Sequence, residues 1–217
     1  MRLIITGHGE SEGNFAGTLQ GSRSDTPLGA RGTEQARLLA ERLASEPLDA
    51  AFTSPMIRAR QTAKILIASH AGLPVAVDAD LLEFDWGAWS GKLLDAALEA
   101  EVASVRSRWK RGETNLAPDG GESPEDAARR AARFLDRLRG ESPRAPLIVA
   151  HGRFNRILMA VLLGRPLSRM DEIRQRNASV SVFDWSGTSA AAPLALDDVS
   201  HLPEALRTTS VLSDSVK

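Results

Sequence analysis

The spacing of apolar positions along the chain changes several times, and each change predicts an element. Residues 3–6 form a short apolar, β-branched run that ends against glycine, as a buried strand requires. Residues 7–28 are rich in Gly, Ser, Asn and Asp with no clear period, so the spacing predicts a loop there. Over 30–43, Ala36, Leu39, Ala40 and Leu43 recur at helical spacing, and Pro47 lies just beyond. A second strand is expected over 48–53. Ala59, Ala63, Leu66 and Ile67 mark a second helix ending near Gly72-Leu-Pro74, and 75–77 is a third short strand.

Residues 81–122 break the rhythm. They hold Trp86, Trp89 and Trp109, a Pro118-Asp-Gly-Gly121 turn and two expected helical pieces. Ser123 and Asp126 then have capping-box spacing, and Pro124 suits a first helical position, so a helix is predicted from 124 to about 139. Residues 147–150 read as a buried strand ending on His151-Gly152, and 154–163 as helix. A late strand pair is expected at 179–185 and 194–196, with a Ser/Ala-rich loop at 186–193 and a frayed tail from about 207 to 217.

Strands alternating with helices predict an α/β fold, a mostly parallel sheet layered between helices on both faces, within one domain over 1–217. Ligands bind such sheets beyond the carboxyl ends of the strands. His8 and His151 each follow a predicted strand at that end.

Composition narrows the field. The 217 residues carry 27 Lys+Arg against 28 Asp+Glu, a net charge of -1, which argues against a general nucleic-acid binder. There is no cysteine, so disulfides, thiolate catalysis and cysteine zinc sites are excluded. The N-terminal apolar run is too short for a signal peptide, and no stretch approaches the roughly 20 apolar residues that span a bilayer. A cytoplasmic location with no membrane partner is the default expectation.

Four places carry candidate chemistry. Gly7-His8-Gly9 is a loop whose glycines let backbone N–H groups approach an anion. Arg58 falls near the start of a helix that follows a strand, where both the helix terminus and the guanidinium fork suit a phosphate. Glu83 stands beside Phe84 and Trp86, a setting in which a carboxyl can act as a proton donor. His151-Gly152 adds a second imidazole. The spelling Gly9-Glu-Ser11-Glu-Gly13 matches a serine-hydrolase elbow, but a nucleophile elbow needs a strand leading directly into the serine and a helix directly after it. The four histidines (8, 70, 151, 201) are scattered, so no metal site and no cofactor is expected.

These residues resemble the histidine phosphatase superfamily, the phosphoglycerate mutase-like proteins. The resemblance rests on an ordered set: His8-Gly-Glu-Ser-Glu-Gly-Asn14, Gln20-Gly21, Asp25-Thr-Pro-Leu28, Ser54-Pro-Met-Ile-Arg58-Ala-Arg-Gln-Thr-Ala63, Leu82-Glu-Phe-Asp-Trp-Gly-Ala-Trp-Ser-Gly91, Gly120-Gly-Glu-Ser123, His151-Gly152 and Ser200-His-Leu202. It implies hydrolysis of a small phosphomonoester, with His8 taking the phosphoryl group covalently. Arg58 and His151 would neutralise its oxygens and Glu83 would serve as acid and base, with Asn14, Gln20, Gly21 and Gly152 as further phosphate contacts. It also implies a short helical lid over about 84–122. Within the family the chain is most similar to the small α-ribazole and broad-specificity phosphatases. A phosphoglycerate mutase is the weaker match, because mutases carry a longer, tyrosine-rich insertion and this chain has no tyrosine.

One signature residue differs. The family motif begins Arg-His-Gly, and here Gly7 precedes the nucleophile. An absent cation allows three readings: weakened activity, replacement by another arginine such as Arg23 or Arg153, or a descendant with altered chemistry that only binds an anionic ligand. The sequence leaves an oligomer open as well.

Overall fold

A computed structural model describes residues 1–207; the tail expected to fray lies, but for Arg207, outside the described residues. Six strands form one sheet: β1 (Arg2–Gly7), β2 (Ala50–Thr53), β3 (Val75–Val77), β4 (Pro146–Ala150), β5 (Val180–Asp184) and β6 (Ala192–Asp198), in the order β3-β2-β4-β1-β5-β6. The first four are mutually parallel, while β5 runs antiparallel to both β1 and β6. The sheet is therefore mostly parallel, as the alternation of elements predicts, with an antiparallel edge.

Side chains leave the strands alternately to two faces, and each face has its own core. Ile4, Ala51, Leu147 and Val149 meet α2 (Ala30–Leu43) and α3 (Ile57–Leu66) through Leu39, Leu43, Ala63 and Leu66. Leu3, Ile5, Phe52 and Ile148 meet α5 (Pro124–Glu141) and α6 (Gly152–Leu162) through Phe134, Leu138, Ile157 and Leu158 on the other. That is the three-layer α/β/α arrangement. The α2 apolar stripe matches the helical period read from the sequence.

One expectation is corrected. The 7–28 loop contains a one-turn helix, α1 (Glu12–Phe15), nucleated by a capping box in which the Ser11 hydroxyl accepts from the Asn14 N–H and Asn14 answers the Ser11 N–H. Four residues are too few to show a period, so only the cap could have betrayed it. Residues 81–122 contain the two expected helical pieces, a 3-10 turn at Gly87–Trp89 and one long helix, α4 (Ala96–Lys110). The Ser123–Asp126 capping box opens α5 as predicted. Among the described residues no helix is long and apolar enough to cross a membrane.

Candidate active site

The register of β1 on β4 pairs Gly7 with Ala150, so the next residue of each strand is a histidine. His8 and His151 consequently stand side by side at the carboxyl edge, ring centroids 5.2 Å apart and 63° between planes. The loop after His8 is fastened by its backbone: the Gly9 N–H donates to the Thr62 hydroxyl at 3.2 Å and the Glu10 N–H to Gln35 at 2.7 Å. Helix α2 approaches so closely that a Cβ on Gly32 would lie 2.0 Å from the Glu10 carbonyl oxygen.

The His8 ring is oriented from both sides. Nδ1 lies 2.7 Å from its neighbour's carbonyl, Gly9 O, and Nε2 receives the Arg58 Nε–H at 3.2 Å. A carbonyl only accepts and a guanidinium only donates, so the proton sits on Nδ1 and the lone pair on Nε2. Burial, reinforced by the Arg58 charge, pushes the His8 pKa down to about 3. The ring is thus neutral with its lone pair on Nε2, facing the Arg58 N–H, and a neutral imidazole nitrogen is the form that acts as a nucleophile.

Arg58 enters from the second turn-forming residue of α3 and is fully buried. Its Nη1 donates to Ser24 O at 2.9 Å and lies 3.4 Å from Asp25, while its Nη2 has no partner among the described residues. Asp25 also accepts the Ile57 N–H, so one carboxylate caps α3 and steadies Arg58. Desolvation lowers the Arg58 pKa, opposed by Glu83 and Asp25. An unpartnered buried donor is costly unless a ligand meets it. His151 is likewise buried and held neutral, chiefly by desolvation and then by Arg58; its Nε2 lies 2.7 Å from the Ser54 hydroxyl and its Nδ1 has no partner.

Glu83 faces the start of α6. Its Oε1 accepts from the Phe84 and Phe154 N–H groups at 2.8 and 2.9 Å, whereas Oε2 has only the Arg153 N–H at 3.3 Å. The second oxygen therefore keeps capacity for a proton. His8, Arg58, Glu83, Asn14, Gln20 and Gly152 share the wall of one cavity with Trp86. His151 sits just behind it against His8.

The structure does not bring every expected contact forward. Gly21 is off the cavity wall, packed where a Cβ would meet Ser90 and the Phe84 carbonyl within 2.8 Å, so its lack of a side chain serves the approach of the 84–90 segment. The Gln20 amide is engaged at both ends, by the Ser11 and Thr26 hydroxyls at 2.6 and 2.8 Å. Ser11 is buried and committed to Asn14 and Gln20, with no strand feeding it, so it is no nucleophile elbow. Of the three tryptophans in 81–122, Trp86 reaches the cavity, while Trp109 is buried against Phe84 and Trp86 with its N–H on Leu116 O.

The space beside Gly7 is not open. A Cβ there would come 3.2 Å from the Gln175 amide nitrogen, which bonds the Ser179 hydroxyl at 2.9 Å. Of the two substitutes weighed for the missing cation, Arg23 is turned outward onto Asp85 and the Gly120 carbonyl, and Arg153 lines the cavity while paired with Asp171. Sequence reasoning passed over Arg156, Gln175, Arg176 and Asn177, which also line the wall. The HxxxxR spacing from His151 could have flagged Arg156, one turn along α6; the others come from irregular chain with no local signal.

A 35% identical relative, phosphoserine phosphatase 1 of Hydrogenobacter thermophilus, aligns over 84% of this chain and 86% of its own. A protein named "Probable phosphoglycerate mutase" from Enterobacter sp. (strain 638) is 31% identical over 93% and 95%. The crystal structure of the α-ribazole phosphatase from Shigella flexneri superposes with a TM-score of 0.79 at 31% identity, covering 91% of this chain and 96% of that one. The model of the histidine phosphatase superfamily (branch 1) matches residues 3–196. With that match running from the first strand into the last, and with phosphatases among its relatives, the chain belongs to the histidine phosphatase superfamily.

Proposed function

We propose that the protein hydrolyses a small phosphomonoester through a phosphohistidine on His8. The observation that carries this reading is the neutral His8 ring, its Nε2 lone pair aimed at the buried Arg58, whose Nη2 is free to receive an oxyanion. In the first step Nε2 attacks phosphorus in line, the P–O ester bond breaks, and the leaving oxygen takes a proton from Glu83. In the second, Glu83 takes a proton from water as the water oxygen attacks phosphorus, and the P–N bond breaks to return His8 neutral.

Arg58 would meet the non-bridging oxygens, where charge resides in phosphoryl transfer, and His151 would donate a further hydrogen bond. Asn14 and the Gly152 N–H at the start of α6 would add contacts. Gln20 and Gly21 would act indirectly, by shaping the wall. Side-chain cations do the electrostatic work, so we take the reaction to need no metal. Phosphatase names among the relatives favour hydrolysis; a ligand-binding role without turnover is kept alive by one observation, the Gln175 amide standing where the signature cation would lie.

The test is turnover of p-nitrophenyl phosphate and a panel of phosphomonoesters, beside His8→Ala, with alkaline-stable, acid-labile phosphoprotein sought after rapid quenching. Turnover with a trapped phosphohistidine, both lost in His8→Ala, is the expected result. Activity in His8→Ala close to the parent's would rule out the covalent role.

A further inference from the structure

Gly7 leaves a gap in the cavity wall, and a neutral side chain fills it. Gln175 is 2% exposed, lines the cavity, and brings its amide nitrogen within 3.2 Å of where a Gly7 Cβ would stand. The chain that carries it is anchored to β1. The Thr6 hydroxyl donates to the Ser179 carbonyl at 2.8 Å, and the Ala178 N–H donates to the His8 carbonyl at 3.1 Å. An amide fixed in this way presents one chosen edge.

Its hydrogen bonds decide which edge. The Ser179 hydroxyl gives its only hydrogen to the Arg176 carbonyl at 2.9 Å, so it meets Gln175 with a lone pair. Gln175 Nε2 therefore donates to it at 2.9 Å, and its other hydrogen turns to the Arg176 carbonyl at 3.4 Å. Both donors are spent on the protein. What remains is Oε1, a buried acceptor with no partner among the described residues, and such an acceptor is costly to leave unmet.

The charged groups of the cavity do not meet it. Arg58 and Glu83 belong to the phosphoryl end, with His151 beside His8. Arg153, Arg156 and Arg176 line the wall, with Asp171 and Asp197 behind them. None supplies a hydrogen to Oε1. An arginine at position 7 would bring only donors to a phosphoryl group, whereas Oε1 brings only lone pairs. A fully ionised phosphoryl group has no hydrogen either, so the two oxygens would repel. One proton between them turns that repulsion into a hydrogen bond.

We infer that Gln175 is a specificity-determining residue whose Oε1 accepts the hydrogen of a singly protonated phosphoryl group, so the site takes phosphomonoesters as monoanions. This rests on the proposed phosphoryl site at His8. The ionised oxygens stay with Arg58, whose Nη2 is unpartnered. A dianion arriving from solution gains one proton, on the oxygen facing Gln175, and the protein loses none.

A non-hydrolysable ligand tests this apart from turnover. Difluoromethylphosphonate has the acidity of a phosphate ester and is a dianion above about pH 6. It is titrated calorimetrically at pH 7, 8 and 9, in two buffers of different ionisation enthalpy, into the parent, Gln175→Leu and Gln175→Met. The parent should take up about one proton per ligand, so its affinity should fall about tenfold per pH unit. Uptake should vanish in both variants. The phosphorus-31 shift of the ligand bound to the parent should match the monoanion, a reading that needs no variant to fold. No uptake in the parent, a dianion shift, or uptake unchanged in a folded variant would overturn the inference; in the last case the proton sits on Glu83 or a histidine. Binding of the dianion with turnover intact would leave the hydrolase reading standing. Monoanion binding that depends on Gln175, in a protein that turns over no phosphomonoester, would sink that reading and keep this one. A protein that does not bind the phosphonate would overturn both.

Discussion

At the scale of single residues, the site depends on where protons and cations are held. In the proposed mechanism Glu83 offers Oε2 to the leaving group, so its contribution scales with how much that group needs a proton. Glu83→Gln should slow alkyl phosphates at least about tenfold more than p-nitrophenyl phosphate, measured as kcat/KM for both. Equal slowing would mean that the carboxylate matters for fastening the start of α6 instead. Gly7 poses the opposite problem, a missing group. Gly7→Arg alone brings its Cβ within 3.2 Å of the Gln175 amide nitrogen, and Gln175 is tied to Ser179. The gain should therefore be small in Gly7→Arg and reach about tenfold or more in Gly7→Arg/Gln175→Ala, where the guanidinium has room to meet the phosphoryl oxygens. Steady-state rates of the two variants and of Gln175→Ala decide it. The motif order made His8, Arg58, Glu83 and His151 legible because each follows a strand. The Asp25 bridge to both α3 and Arg58, and the Gln175 amide, were illegible, since both depend on chain far apart in sequence meeting at one point.

At the scale of elements, helices position His8 as much as the strand does. The α2 backbone touches the His8 loop directly at Gly32, with only a hydrogen where a methyl would collide. Gly32→Ala would raise intrinsic helix propensity, yet the clash is with backbone and no rotamer can relieve it. The variant should lose about 1–3 kcal/mol in urea unfolding and lose activity with it, because relief requires moving Glu10 and so His8. A more stable Gly32→Ala would show that the loop yields freely. The helical period at 30–43 announced α2 and the capping box with Pro124 announced α5, whereas this contact follows from tertiary docking and leaves no period to read. The same holds in 81–122, where tryptophans spaced for no single face belong to a buried aromatic cluster in which Phe84 and Trp86 centroids stand 4.8 Å apart.

At the scale of the whole molecule, the buried histidines make stability depend on acid. His8 and His201 have pKa values lowered by burial to about 3 and about 4, and His151 is held well below its ordinary value. Each is neutral when folded but takes a proton near pH 6.5 once unfolded. The unfolded chain therefore binds more protons below that pH, and stability is full above about 6.5 and falls as pH drops toward the folded values. At pH 5 the loss is at most about 2 kcal/mol for each histidine. His8→Gln should lessen the fall in unfolding free energy between pH 7 and pH 5 by up to that amount. An identical fall in parent and variant would show that His8 is solvated and charged in the folded protein. The pairing of Gly7 with Ala150 has one more consequence. The spacing of hydrogen-bonded strands, about 4.8 Å in any sheet, sets the distance between the two backbones that carry the imidazoles, while Arg58 and Ser54 aim the rings. The gauge is built into the peptide backbone and the aim into the helical layer, so a redesign of that layer would turn the rings without moving their strands apart.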